Sequence, residues 1–181
     1  MSRGAAQILD EYLVAAARTG DRKAFAMLAE RWHGKLVGHA WRLTGNRDAA
    51  RDAAQAGWLE IVRGLPRLQN ANAFAAWAFR IVSRRCARQV DEAVRRRELG
   101  QALAMEPQST AAEPAGMDDQ GRLRSAIAGL PPDQGGAIAL FYLEEMSVAE
   151  VAVALNIPAG TVKTRLMHAR RKLRSALEGD E

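Results

Sequence analysis

Five cations, Lys163, Arg165, Arg170, Arg171 and Lys172, crowd the stretch "NIPAGTVKTRLMHARRKL", where Val162, Leu166, Ala169 and Leu173 recur every three or four residues. That spacing is the apolar spine of a helix, and the cations fill the remaining circumference. The chemistry on offer is electrostatic. A rod of this kind neutralises phosphates, and its N-terminal residues reach base edges when it lies in a major groove. Gly160, Thr161, Lys163, Thr164 and Arg165 occupy those N-terminal positions. A second basic row, Arg80, Arg84, Arg88 and Arg95 with Arg96 and Arg97, follows the Asn- and Gln-rich loop "RLQNANA" and reads as another phosphate-contacting face.

Covalent chemistry has no comparable signal. The sequence holds no phosphate-cradling glycine loop, no metal-spaced cluster and no nucleophile elbow. Cys86 stands alone, so neither an intramolecular disulfide nor a cysteine metal cluster can form, and it reads as a small packing side chain. His33, His39 and His168 are too far apart in helical phase for an evident ligand set. Glu144 and Glu145 are adjacent rather than facing, which suits capping or solvating a helix end. No enzyme activity, cofactor, metal or small-molecule substrate is expected.

The 181 residues, 48% hydrophobic and 26% charged, suffice for one mid-sized or two small packed domains. Residues 1–97 carry 18 Lys/Arg against 9 Asp/Glu, residues 98–120 none against 5, and residues 121–181 carry 8 against 7. Two segments compatible with a polyanion thus flank an acidic connector. No apolar run is long enough to span a bilayer, and "MSRGAAQILDEY" turns acidic before a signal-peptide core could develop, so no membrane insertion and a cytoplasmic location are expected.

Helices must position these residues, since Gly and Pro are sparse between residues 21 and 63 and no stretch alternates like a strand. A short helix around "DEYLVAAAR" stops near Gly20. Asp21 caps a longer one with Phe25, Leu28, Trp32, Leu36, Ala40 and Leu43 in line, ended by Gly45 and Asn46. The next aligns Ala50, Ala54, Trp58, Ile61 and Leu65 and stops at Pro66. Beyond the loop, Phe74, Trp77, Ala78, Ile81 and Val82 form one side of a helix whose other side is the arginine row. Trp32, Trp41, Trp58 and Trp77 are placed for a core, although Trp77 also suits base stacking. Residues 98–120 lose periodicity, gather Pro107 and Pro114, and read as a flexible linker. Ser147 and Glu150 then form a capping box for a short helix with Val148, Val151, Ala152 and Leu155 inward. Asn156 to Ala159 turn the chain into the basic helix. Two short helices, a tight turn and a cationic second helix describe a helix-turn-helix. The fold expected is all-α, with two small helical domains at residues 8–97 and 121–178.

These residues resemble the extracytoplasmic-function group of sigma factors, relatives of sigma-70 reduced to regions 2 and 4. The resemblance rests on "GTVKTRLMHARRKL", similar to the family's "GTVKSRL-x-RAR-x-x-L", on "MSVAEVAVALNIP", "AGLPPDQGGAIALFYLEEM" and "AFAAWAFRIVSRR", and on "DEYLVAAARTGDRKAFAMLAERW" as the opening of region 2. It covers most of the chain outside the connector and the ends. It implies that region 4 lays the basic helix in the promoter's −35 element, with Gly160, Thr161, Lys163, Thr164, Arg165 and Arg170 at the DNA. Region 2 would hold the melted −10 strand with Asn70, Asn72, Trp77, Arg80, Arg84 and Arg88. Core RNA polymerase is the implied partner, docking on Asp52, Gln55 and Trp58, and an anti-sigma factor is the implied regulator. The chain departs from the family at the docking helix, which reads "AARDAAQAGW" where "AEDLVQE-x-F" is usual. Arg51 and Ala56 thereby remove two carboxylates. Arg84 and Arg88 stand where Asn and Asp are usual, which bears on the −10 sequence preferred. A sigma-like decoy that binds an anti-sigma factor without reading promoters is the alternative, and a DNA-cleaving recombinase a more distant one.

Overall fold

The computed structural model describes residues 3–98 and 119–178. Its elements are α1 (Arg3–Arg18), α2 (Arg22–Thr44), α3 (Arg47–Gly64), α4 (Phe74–Glu98), α5 (Asp119–Ala128), α6 (Pro132–Tyr142), α7 (Val148–Leu155) and α8 (Ala159–Glu178), with 3₁₀ turns at Leu65–Arg67 and Ala71–Ala73. No strand occurs among the described residues, and none of their helices is long and apolar enough to cross a membrane. The fold is all-α, as expected. Most of the acidic connector lies outside the described residues, because α4 runs to Glu98 and α5 begins at Asp119.

Local signals account for the element ends. Asp21 accepts from the N–H groups of Lys23 and Ala24, and Asn46 from that of Ala49, so α2 and α3 both start on a side-chain cap. Gly45, at φ 65°, turns the chain between them and donates its N–H to the Trp41 carbonyl. The first helix differs from expectation in starting well before "DEYLVAAAR", at Arg3.

Packing in the first half runs through α1 to α4. Leu13, Val14, Leu28, Leu36, Ile61, Phe74, Phe79 and Val82 are fully buried there. Trp32 meets Phe74 edge-on at 5.2 Å and Phe79 at 5.7 Å, so this tryptophan is a core residue. Trp41 and Trp58 are half-buried against the same core. Arg31 pairs with Asp10 at 2.7 Å and ties α2 to α1.

In the second half, Ser147 accepts from the Glu150 N–H at 3.2 Å while the Glu150 carboxylate accepts from the Ser147 N–H at 2.7 Å, completing the capping box. Asn156 closes α7 in the left-handed region at φ 55°, which Asn tolerates better than most residues. On α7 the fully buried residues are Val151 and Ala154, while Val148, Ala152 and Leu155 are half-buried. Ala154 therefore joins the inner face read from sequence.

The halves are seated on one another, α6 against α2 and α7 against α4, and one apolar core runs through both. Gly135 to Leu140 of α6 are all buried. A Cβ on Gly136 would stand 2.9 Å from Leu43 Cδ2, so any larger residue here must push the Leu43 side chain of α2 aside. At the rim, Lys35 Nζ donates to the Glu144 carboxylate at 2.8 Å and lies 4.9 Å over the Trp32 ring. Glu144 consequently does not solvate a helix end. It is a tie between the halves.

Candidate nucleic-acid interface

The basic helix is built as its spacing requires. Val162, Leu166 and Ala169 are buried and Leu173 is half-buried, so the spine faces α6 and α7. The opposite face is open. Gly160 is exposed, with no atom within 4 Å of where a Cβ would stand. Thr164 is exposed and donates to the Gly160 carbonyl at 3.1 Å, a back-bond that fixes its hydroxyl, whereas Thr161 is half-buried. Lys163, Arg171 and Lys172 are exposed and have no ion pair among the described residues. Arg171 shares a hydrogen bond with His168 Nδ1 at 3.3 Å.

Two of the expected DNA contacts are held from below by α6. Arg165 lies 3.4 Å from the Asp133 carboxylate, in the first turn of that helix. Arg170 donates from Nε to the Tyr142 hydroxyl at 3.0 Å and lies 5.7 Å from the Phe141 and Tyr142 ring centroids. Neither Asp133 nor Tyr142 stood out in the sequence. Asp133 follows the proline that opens α6 and Tyr142 is the last residue of that helix, so their partners are visible only once α8 crosses α6.

The −10 candidates lie on the second 3₁₀ turn, with its cap Asn70, and on α4. Asn70 accepts the Asn72 N–H at 2.9 Å, giving the loop an Asx turn. With its amide nitrogen facing α1, Asn72 donates to both Glu11 oxygens at 2.8 and 3.0 Å. Arg18 reaches the Gln69 carbonyl at 3.3 Å. Glu11 and Arg18 thus hold this loop, a role their sequence context does not announce. Trp77 is half-buried, tilted on Phe74 at 6.2 Å, with its ring in the notch of Gly64, where a Cβ would stand 2.7 Å away. Arg80, Arg88 and Arg95 are exposed. Arg84 and Arg85 share the carboxylate of Glu60, the Arg85 bond being 2.9 Å, so one acid offsets part of the basic row.

The docking candidates separate. Gln55 and Trp58 line an apolar groove between α2 and α3 together with Phe25, Leu59 and Val62, the last two 57% and 50% exposed. Trp58 meets Phe25 edge-on at 5.9 Å. Asp52 is exposed on the same helix outside that groove. Arg51 is exposed and 3.7 Å from Asp48.

Inside, His39 shares a hydrogen bond with Ser83 at 2.8 Å, and burial followed by the neighbouring Arg42 charge lowers its pKa to about 3. Arg42 is itself lowered by burial, an effect the Glu144 carboxylate opposes. Burial pushes the Cys86 thiol up to about 12, as befits a packing side chain.

Residues 28–97 match the sigma-70 region 2 family, and residues 120–173 match sigma-70 region 4. The chain belongs to the sigma-70 family, in its extracytoplasmic-function group. This sigma factor is 26% identical over 181 residues to the RNA polymerase sigma-H factor of Pseudomonas aeruginosa, covering 93% of this chain and 94% of that one. It is 28% identical over 172 residues to the extracytoplasmic-function sigma factor SigW of Bacillus subtilis, covering 88% and 92%. Among solved structures, the sigma factor RpoE in complex with the anti-sigma factor NepR from Bartonella quintana superposes with a TM-score of 0.70 at 25% identity, covering 88% of this chain and 99% of that one. CnrH in complex with the cytosolic domain of CnrY shares the fold, with a TM-score of 0.62 at 22% identity over 96% and 99% of the two chains.

Proposed function

We propose that this sigma factor, a cytoplasmic protein without an enzyme activity of its own, binds core RNA polymerase and carries it to promoters, with α8 in the −35 major groove. The observation that carries the reading is α8 itself, whose spine is buried while Lys163, Arg170, Arg171 and Lys172 remain exposed. Gly160, Thr161, Lys163, Thr164, Arg165 and Arg170 are the −35 contacts in this reading. The −10 strand is taken by the Asn70–Asn72 loop with Trp77, Arg80, Arg84 and Arg88. Gln55 and Trp58, in their apolar groove, and the nearby Asp52 serve the polymerase. Residues 8–97 and 121–178 act as the two domains, and residues 98–120 as the tether that lets them span separated elements and raises each one's effective concentration. An anti-sigma factor as regulator is supported by the complex that RpoE forms with NepR.

Promoter-specific runoff transcription with bacterial core enzyme tests this directly, and its absence rejects the reading. Within it, Lys163→Ala lowers the slope of log affinity against log salt by about one. Arg165→Ala lowers it by less, because Asp133 already offsets that charge at 3.4 Å. A decoy that binds an anti-sigma factor without promoter recognition is favoured by one observation, the exposed Arg51 on the docking helix. Capture of core polymerase by the tagged chain, followed by transcription, separates the two.

A further inference from the structure

The last turn of α6 does more than support the apolar spine of α8. Tyr142 is 52% exposed, an unusual place for a large ring whose neighbour Phe141 is half-buried, and the two rings meet edge-on at 4.9 Å. Arg170 lies over both at 5.7 Å and gives its Nε–H to the Tyr142 hydroxyl at 3.0 Å. That leaves both terminal NH₂ groups of Arg170 without a protein partner among the described residues. Those groups are the fork that grips a phosphate in two parallel hydrogen bonds. A long arginine is otherwise a poor anchor, because fixing its rotatable bonds opposes binding. Here the stem is already fixed.

We infer that Tyr142, with Phe141 behind it, is a positioning residue that presets Arg170 to grip a phosphate of the −35 duplex. This rests on the proposal that α8 binds that duplex. Arg165 and Arg170, five residues apart, stand about 140° apart around the helix axis, so α6 steadies one cation on either flank of the outward face. On the Asp133 side the partner is an acid that offsets charge. On the Tyr142 side the partner is neutral, so the full charge of Arg170 remains available.

The test uses the full chain, whose α8 exterior is exposed with the halves seated, and a duplex selected from a randomised library on the wild-type protein. Affinity is measured by fluorescence anisotropy between about 50 and 200 mM salt. Arg170→Ala should lower the salt slope by about one. Tyr142→Ala should weaken binding about three- to tenfold at unchanged slope, because it removes a cation–π contact and a hydrogen bond but no charge. Tyr142→Phe, which keeps the ring, should recover most of that loss. The Tyr142→Ala, Arg170→Ala double variant should bind no more weakly than Arg170→Ala alone. Tyr142→Leu preserves apolar volume and decides the matter if Tyr142→Ala unfolds. Wild-type affinity in the folded Tyr142 variants, or a loss that persists in the Arg170→Ala background, overturns the inference while leaving the −35 reading intact. Wild-type affinity and slope in both Lys163→Ala and Arg170→Ala remove the −35 reading and this inference with it.

Discussion

His39 is the residue whose protonation bears most directly on stability. Its folded pKa of about 3 lies below the ordinary 6.5, because burial disfavours the imidazolium and Arg42 repels it. The unfolded chain therefore takes up a proton that the folded chain refuses throughout that window. Stability should be flat with respect to this group above pH 6.5 and fall as pH drops towards 3. The slope is at most ~1.4 kcal/mol per pH unit. Urea midpoints between about pH 7 and pH 5, above most carboxylate titration, read this out, and His39→Gln should flatten the profile. Cys86, with its thiol held near 12, should resist alkylation at neutral pH until the chain unfolds, so that labelling tracks the urea transition. The residue scale was unevenly legible in the sequence. The exposure of Lys163 could be read outright, since nothing on its own helix could pair with it. The contacts of Tyr142, Asp133 and Glu11 could not, because each has its partner in a side chain at least 28 positions away.

At the scale of elements, the eight-residue α7 relies on its ends. A helix this short forms poorly alone, so the reciprocal bonds of Ser147 and Glu150 matter more than they would on a long one. Ser147→Ala should lower stability by ~1 kcal/mol. Asn156→Val should also destabilise, because a β-branched residue is strained at φ 55°, whereas Asn156→Gly should be tolerated. Thermal unfolding of the full chain compares all three. Caps and apolar spines were readable because their chemistry is local. "NIPAG" gives its turn away and Asp21 its helix start, while the 3₁₀ turns around "RLQNANA" rest on Arg18 and Glu11 from a different helix. Arg84 likewise reads as part of a uniform basic row until α3 brings Glu60 beneath it.

For the whole molecule, the seating of one half on the other was the least legible feature. Its trace in the sequence is "GGAIAL", a helix segment apolar on every side, which is the mark of a helix covered all round. A pattern can show that such a helix is covered, but not by what. Lengthening Gly136 tests the seating: Gly136→Leu places its first side-chain carbon 2.9 Å from Leu43 and should separate the halves without unfolding either. Lys35→Glu, opposite Glu144, should act in the same direction and weaken with salt. A larger radius of gyration in small-angle scattering, extrapolated to low protein concentration where the opened chain stays monomeric, at unchanged helicity, is the expected result for both.

A last consequence follows from α6 being enclosed on one flank by α8 and on another by α2. Whatever draws the two halves apart strips the cover from Gly136 and its neighbours and leaves oily backbone facing water. An opened chain with nothing else to lie against should clump, so loss of solubility on opening, and its rescue by whichever macromolecule takes the vacated place, would report when this protein changes hands.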